Sequence, residues 1–244
     1  MSNKDSIAVY DLDRRVGLYD KDMDIMHPNC LKMIQIDLEF LPFKSEDMLK
    51  VVDLGIGSSF FTYYFLKKIS NSRVIGMDGA KMMIKLAKNR LNQFSDYIQF
   101  RVGDFRDIGR LFLDISDVDV VISSYALHHL DIKEKINIFA VLKKLLRNSG
   151  WFINADLIIA ESQAIEDRVQ DIRVNGIVTR AKGKDNRFKD LKSTNKFIHD
   201  LEENESDQPL PLSKDLELLS NTGFINVDVL WKEYREVVIC AQKK

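Results

Sequence analysis

Between residues 50 and 160 this chain repeats one pattern: a short apolar run, an acidic or small residue, then a segment whose apolar side chains recur every three or four positions. Strand-length runs alternating with helix-length ones narrow the possible folds more than any other feature. Adjacent parallel strands need a long crossover to return the chain to the same end of the sheet, and a helix is the usual crossover. "DMLKVVDLG" is read as the first strand, "FFTYYFLKKIS" as a helix and "RVIGMD" as the second strand, which completes one β-α-β unit. "AKMMIKLAKNRLNQF" predicts a helix, "YIQFRVGD" a strand, and "VDVVISSYA", almost continuously aliphatic, a strand buried on both faces. "DIKEKINIFAVLKKLLRNSG" predicts a helix with Asp131 as N-cap and Gly150 as C-cap, and "WFINADLII" the strand after it. The expectation is an α/β fold, a parallel sheet with helices on both faces.

The rhythm breaks after residue 160. Residues 161–212 are long, charged and helical in pattern, and are expected to form a lid inserted into the core. The alternation resumes with "SKDLELLSNTGF", a helix capped by Ser213 and closed by Gly223, and ends with "INVDVLWKEY" and "REVVICAQK" as a hairpin. Within one domain, residues 1–48 are then a helical N-terminal cap, 49–160 a cofactor-binding core, and 213–244 the terminal helix and hairpin.

Composition removes several function classes. Of 244 residues 45% are hydrophobic, enough for a packed core, and 36 Lys plus Arg balance 37 Asp plus Glu, so no global basic field draws the chain to nucleic acid or anionic lipid. Cys30 and Cys240 have no paired spacing, which reads as reduced thiols and offers no zinc motif. The opening "MSNKDSIAVYDLDRR" is polar, unlike a signal peptide, and no apolar run approaches the roughly 18 residues of a membrane span. A cytoplasmic location without membrane contact is expected, with monomer and homodimer both open.

The stretch "VVDLGIGSSFFT" carries the first functional signal. Its glycines follow a strand and open a helix, where backbone can approach a ligand and unpaired N–H groups face it. Taken alone, the loop is equally a tight structural turn. Phe60 stands where a dinucleotide-binding loop has its third glycine, which argues against NAD. Asp78 ends the second strand about 20 residues on, where a carboxylate accepts from both ribose hydroxyls. Asp104 after the third strand is placed to accept from an adenine amine, with Phe105 and Met77 in apolar contact with the ring.

With these residues assembled, the chain resembles the class I S-adenosylmethionine-dependent methyltransferases. The likeness runs through "VVDLGIGSS", "VIGMDGAKMMIKLAKNR", "VGDFRDI", "VDVVISSYALHHL" and "LLRNSGWFINADLI", about residues 50 to 160 plus the terminal hairpin. It implies a doubly wound, Rossmann-like sheet of seven strands, mostly parallel with the last antiparallel, and S-adenosylmethionine as cofactor. It also implies that Asp53, Gly55 and Gly57 cradle the methionine part, Asp78 holds ribose, and Asp104 with Phe105 frames adenine. Ser123 joins the cofactor set, and Tyr19 of "GLYD" matches a residue that closes over the cofactor in small-molecule members. Ser59 departs from the family's usual glycine and is small enough to keep the helix close.

The acceptor is read by elimination. "SSYALHHL" lacks the Asn/Asp-Pro-Pro-Tyr sequence of amino-methylating enzymes, and neither cysteine sits where a cytosine C5 enzyme needs its nucleophile. Catechol-type metal sites place carboxylates after the fourth and fifth strands. Here the fourth ends in serines and only Asp156 stands on the fifth, so no metal is expected. His128 is read as the general base and His129 as a structural residue bordering the substrate, although each also suits a helix cap or a core position. Tyr125 is read as substrate-facing. Arg168, Arg173 and Arg180 in the lid are read either as solvated charges or as partners for a substrate carboxylate or phosphate, and His199 as a surface residue. A small-molecule methyltransferase results. Three alternatives stay open: an RNA-modifying enzyme using the basic stretch 180–196, a carboxymethyl-transferring relative with a carboxylated cofactor, and a catalytically silent cofactor-binding module.

Overall fold

The computed structural model describes residues 6–183 and 185–244; the first five residues of the expected cap and Lys184 of the basic stretch lie outside the described residues. Helices α1 (Ser6–Tyr10), α2 (Asp13–Met26) and α3 (Cys30–Phe40) precede the sheet. The core runs β1 (Lys50–Leu54), α4 (Phe60–Lys68), β2 (Arg73–Asp78), α5 (Lys81–Arg90), β3 (Ile98–Val102), α6 (Ile108–Leu111), β4 (Val118–Ser124), α7 (Ile132–Leu145) and β5 (Leu146–Leu157). The insertion holds α8 (Gln163–Ala181) and α9 (Leu191–Glu205), after which come α10 (Leu212–Asn221), β6 (Ile225–Glu233) and β7 (Glu236–Gln242).

The strands form one seven-stranded sheet in the order β3-β2-β1-β4-β5-β7-β6. The first five pair in parallel, and β7 runs antiparallel between β5 and β6. Successive strands leave β1 in opposite directions, toward β2 on one side and β4 on the other, which opens a ligand crevice beyond their carboxyl ends. Alternation along each strand decides the two layers. Val52, Leu54 and Val121 pack against α6, α7 and α10, while Val51, Val120 and Ile122 pack against α3, α4 and α5. Burying a side chain such as Phe65 or Phe139 stabilises this arrangement by roughly 1.5–3 kcal/mol each.

Asp131 caps α7 as expected: its carboxylate accepts from Glu134 N at 2.8 Å and Glu134 accepts from Asp131 N at 2.9 Å, a reciprocal box. Gly150 is not the C-cap. The helix stops at Leu145 because Leu146 already pairs with Val118 of β4, so Gly150 lies inside β5. A Cβ there would come within 2.9 Å of the Arg147 carbonyl and 3.0 Å of the Val118 carbonyl, which is why a glycine stands at this bend. Ser213 is also not a cap. Pro211 holds the position before α10, and Ser213 falls in its first turn. Gly223 does close that helix, at φ +87°.

Helices α2, α8 and α9 enclose a separate cluster of Met26, Ile177, Ala181, Phe188 and Ile198. Polar ties reinforce it: Arg187 donates to both oxygens of Asp22 at 2.9 and 2.7 Å, and Arg180 Nε donates to the Ile25 carbonyl at 2.7 Å. The insertion and the N-terminal helices therefore pack as one layer. Among the described residues, no helix is long and apolar enough to cross a membrane.

Candidate functional site

Loops after β1, β2, β4 and, through Asp104 and Phe105, β3 converge with α1 and α2 on a cavity of about 310 Å³, a size typical of small-molecule sites. The glycine loop forms its floor. Gly55 and Gly57 hold φ of +75° and +50°, and a Cβ on Gly55 would lie 2.5 Å from Ala126 Cβ. The loop can therefore come this close to the turn after β4 only without a side chain. Ser59 adopts φ +62°, the left-handed region that favours glycine, with its hydroxyl donating to the Ser58 carbonyl at 2.6 Å. Serine here replaces a glycine in conformation as well as in sequence.

Of the carboxylates that line this cavity, Asp78, Asp53 and Asp104 stand at the strand ends. Asp78 accepts from Gly57 N and Ala80 N, each at 2.9 Å, yet burial still raises it to about 6. Two donors are thus already aimed at Asp78, and its remaining lone pairs suit a diol. Burial pushes Asp53 up to about 7, against a hydrogen bond from the Thr62 hydroxyl that favours its ionised form. Asp104 is engaged by Arg106, whose Nε approaches its carboxylate at 2.7 Å, while Phe105 stands beside it on the wall. Tyr19 of α2 reaches over the loop, its hydroxyl 3.8 Å from where a Gly57 Cβ would project. The glycine cradle, the poised Asp78 and the aromatic wall together fit a nucleoside carrying an amino-acid tail.

Two residues of the expected cofactor set are not in this cavity. Met77 is fully buried within the sheet layer that faces α7, and Ser123 is buried with its hydroxyl donating to the Leu54 carbonyl at 2.9 Å. Both are on strands, where a one-residue step turns a side chain to the other face; Asp78 and Ser124, one residue on, line the cavity instead. On the acceptor side, Tyr125 and His129 line it as well. Arg168 is exposed on α8 and lines no cavity among the described residues, whereas Arg173 faces a second cavity of about 30 Å³ and pairs with Glu202. His199 is exposed on α9.

His128 sits behind the wall, on that second cavity. Its Nδ1 is 2.6 Å from Asp156 Oδ1, and its Nε2 is 3.7 Å from Asp207 Oδ1. Burial acts to lower the imidazole, but the charges of Asp156 and Asp207 outweigh it and hold His128 above its ordinary value.

A second histidine beside His129, His27, completes the cavity from the end of α2. Its Nδ1 lies 3.5 Å from Glu236 Oε1, the same oxygen that accepts from the Tyr125 hydroxyl at 2.6 Å, and Asn29 donates to the other oxygen at 2.8 Å. Burial lowers His27 and, foremost among several causes, raises Tyr125 well above its ordinary value, so the pair presents a neutral imidazole beside a neutral phenol. Tyr125 holds φ +48°, a strained backbone that turns the ring toward α2. Sequence reasoning missed His27 and Glu236, which share no motif or period; only "HPN", a break after a helical run, marked the place.

Residues 51–150 match the family model described as a methyltransferase domain. Over 234 residues, 94% of this chain and 93% of the relative, the chain is 22% identical to a carboxy-S-adenosyl-L-methionine synthase from Nautilia profundicola. An O-methyltransferase family protein from Burkholderia thailandensis has a similar structure, with a TM-score of 0.71 and 14% identity, over 100% of this chain and 64% of that one. The phosphoethanolamine N-methyltransferase 2 of Haemonchus contortus, in complex with phosphomonomethylethanolamine and S-adenosylhomocysteine, matches 94% of this chain and 46% of its own, with a TM-score of 0.65 and 15% identity. The chain thus spans less than two thirds of either solved structure.

Proposed function

Residues 51–150 form a class I S-adenosylmethionine-dependent methyltransferase domain, and from that premise we propose that this enzyme methylates a small molecule held between Tyr19, His27, Tyr125 and His129. S-adenosylmethionine supplies an electrophilic methyl group on a sulfonium. The chain's part is alignment. Gly55 and Gly57 seat the amino-acid tail beside Asp53, Asp78 accepts from the ribose hydroxyls, and Phe105 with Asp104 flanks the base. Tyr10 and Tyr19 close the cavity from above and exclude water from the displacement.

A proton on the acceptor needs a base inside the cavity. His128 stands outside it, so the role passes to His27, kept neutral by burial and backed by Glu236, which stabilises the imidazolium once formed.

Enclosure is the observation that carries the small-molecule reading: α1 and α2 cover the crevice, where a nucleic-acid enzyme needs an open groove. Arg187, central to the basic stretch, is spent on Asp22 and Asp185 and does not face outward for phosphates. Incubation with methyl-labelled cofactor and separate small-molecule and RNA fractions tests this. Label is expected in the small molecules; incorporation only into RNA refutes it.

The nearly full-length likeness to a carboxy-S-adenosyl-L-methionine synthase favours a second reading, in which the cofactor carries a carboxylate on its methyl group. Such a group needs a guanidinium near sulfur. The arginines lining the cavity among the described residues are Arg90 and Arg106, engaged by Ser58 and Asp20 and by Asp104 and Glu134. That pairing supports an ordinary methyl donor. Mass spectrometry of the ligand that co-purifies decides between them, since a carboxylated sulfonium in the protein would replace the first reading with the second.

A further inference from the structure

The turn after β4 and the end of the lid meet in a cluster behind the methyl-transfer cavity, whose wall His129 also lines. One potential ligand atom from each of His128, His129 and Asp207 lies within 4.8 Å of the others, on side chains exposed by 6%, 9% and 10%. Asp207 Oδ1 is 2.9 Å from His129 Nδ1 and 3.7 Å from His128 Nε2. Despite that approach, neither His129 Nδ1 nor Asp207 Oδ1 has a hydrogen bond, because the contact lacks in-line donor geometry. Two buried polar atoms thus face each other at ion-pair distance without an in-line donor between them, a space that a cation bound to both would bridge.

From this cluster we infer that His128, His129 and Asp207 bind a divalent first-row transition metal. Ligand atoms about 2.0–2.2 Å from a tetrahedral zinc are roughly 3.4 Å apart, and the 2.9 and 3.7 Å separations bracket that figure. Two imidazoles and one carboxylate suit zinc or cobalt and are poor ligands for magnesium or calcium, which take oxygen. The supporting shell is present. Asp156 Oδ1 stands 2.6 Å from His128 Nδ1 and also accepts from Leu157 N at 2.8 Å, so it fixes the ring and leaves Nε2 to ligate. Gln208 N holds the His128 carbonyl at 2.7 Å, locking the lid end to the turn that supplies two ligands. The adjoining cavity of about 30 Å³ leaves room for one water as the fourth ligand.

The site joins residues far apart in the chain, and its bound metal clamps the lid to the sheet. The metal-free expectation from sequence concerned paired carboxylates after two strands; this set draws instead on adjacent histidines and a lid aspartate. The test uses the full chain without an affinity tag, stripped by chelator and titrated with cobalt and zinc. One equivalent per chain is expected, with the visible bands of four-coordinate cobalt, displacement by zinc, and a rise in melting temperature on loading. His129→Ala and Asp207→Asn should each abolish the bands, and Asp156→Asn should weaken uptake by roughly 10- to 100-fold. Circular dichroism and binding of S-adenosylhomocysteine establish that each variant is folded. No uptake by the wild type, or uptake unchanged in folded His129→Ala and Asp207→Asn, overturns the site, whatever methyl-transfer assays show.

Discussion

Asparagine at position 78 removes one charge from the cavity and keeps the side chain's shape. In the wild type both oxygens of Asp78 face backbone donors, Gly57 N and Ala80 N, and the carboxyl titrates near 6 because burial disfavours its charge. Ribose hydroxyls are donors, so they bind the ionised form. Hydrogen bonds to a charged acceptor contribute about 1.5–3 kcal/mol, and Asp78→Asn should weaken S-adenosylhomocysteine binding at pH 7.5 by about 10- to 150-fold. The pH dependence follows with a definite sign. Below about 6 the free protein holds a proton that the ligand must displace, so wild-type affinity should fall roughly tenfold from pH 7 to pH 5. Stability runs the other way: with a folded value above the unfolded one of about 3.9, Asp78 favours the folded apo-protein most below pH 4, and that contribution is lost as pH rises through 6. Water reaches Asp78 through the cavity, so the stability effect is smaller than for a sealed carboxylate. Asp53, at about 7, titrates in the same window and is raised in part by the Asp78 charge, so the difference between wild type and variant reports Asp78 together with that coupling. Calorimetric titration of both proteins from pH 5 to pH 8 measures it. Equal affinities at pH 7.5, or a wild-type constant that does not change between pH 5 and pH 7, would refute the assignment of the ribose to Asp78.

Other perturbations address the loop, the core and the base. Gly55→Ala forces a Cβ to within 2.5 Å of Ala126 Cβ at a φ of +75°, and calorimetry should show cofactor binding lost while circular dichroism still reports a folded chain. Lys135→Met leaves Asp215, 2.7 Å from Lys135 Nζ and buried, without its partner; about 3–5 kcal/mol should be lost, read as a melting temperature lower by roughly 6–20 °C. His27→Ala should slow single-turnover methyl transfer to a protonated acceptor by roughly 100- to 10,000-fold with cofactor affinity near wild type, and wild-type rates in that variant would remove His27 as the base.

What the sequence determined by itself is what short-range physics dictates. Alternating apolar periods specify β1 to β5 and the crossover helices α4, α5 and α7, the glycines after β1 specify a close-approach loop, and Asp131 specifies the start of α7, whereas the short α6 carries no such period. Asp78 and the loop were legible together because they belong to one β-α-β unit, where the strand ends that carry them are paired neighbours. Phase was harder. Met77 and Ser123 are each one residue from a position that lines the cavity, and a period of two tells which residues share a face without telling which way the last one turns. Similarly, α7 stops at Leu145 because β4 captures Leu146, a competition between helix and sheet that no signal within the helix records. Beyond Tyr125 and His129, which follow β4 directly in the chain, the acceptor side depended on tertiary structure. Tyr125 meets Glu236 across 111 positions and Asn29 meets it across 207, and Asp207 reaches the adjacent histidines only once the lid has folded back. Closing loops of that length is settled by the packing of whole layers, so the side chains they bring together need carry no mark in the local sequence.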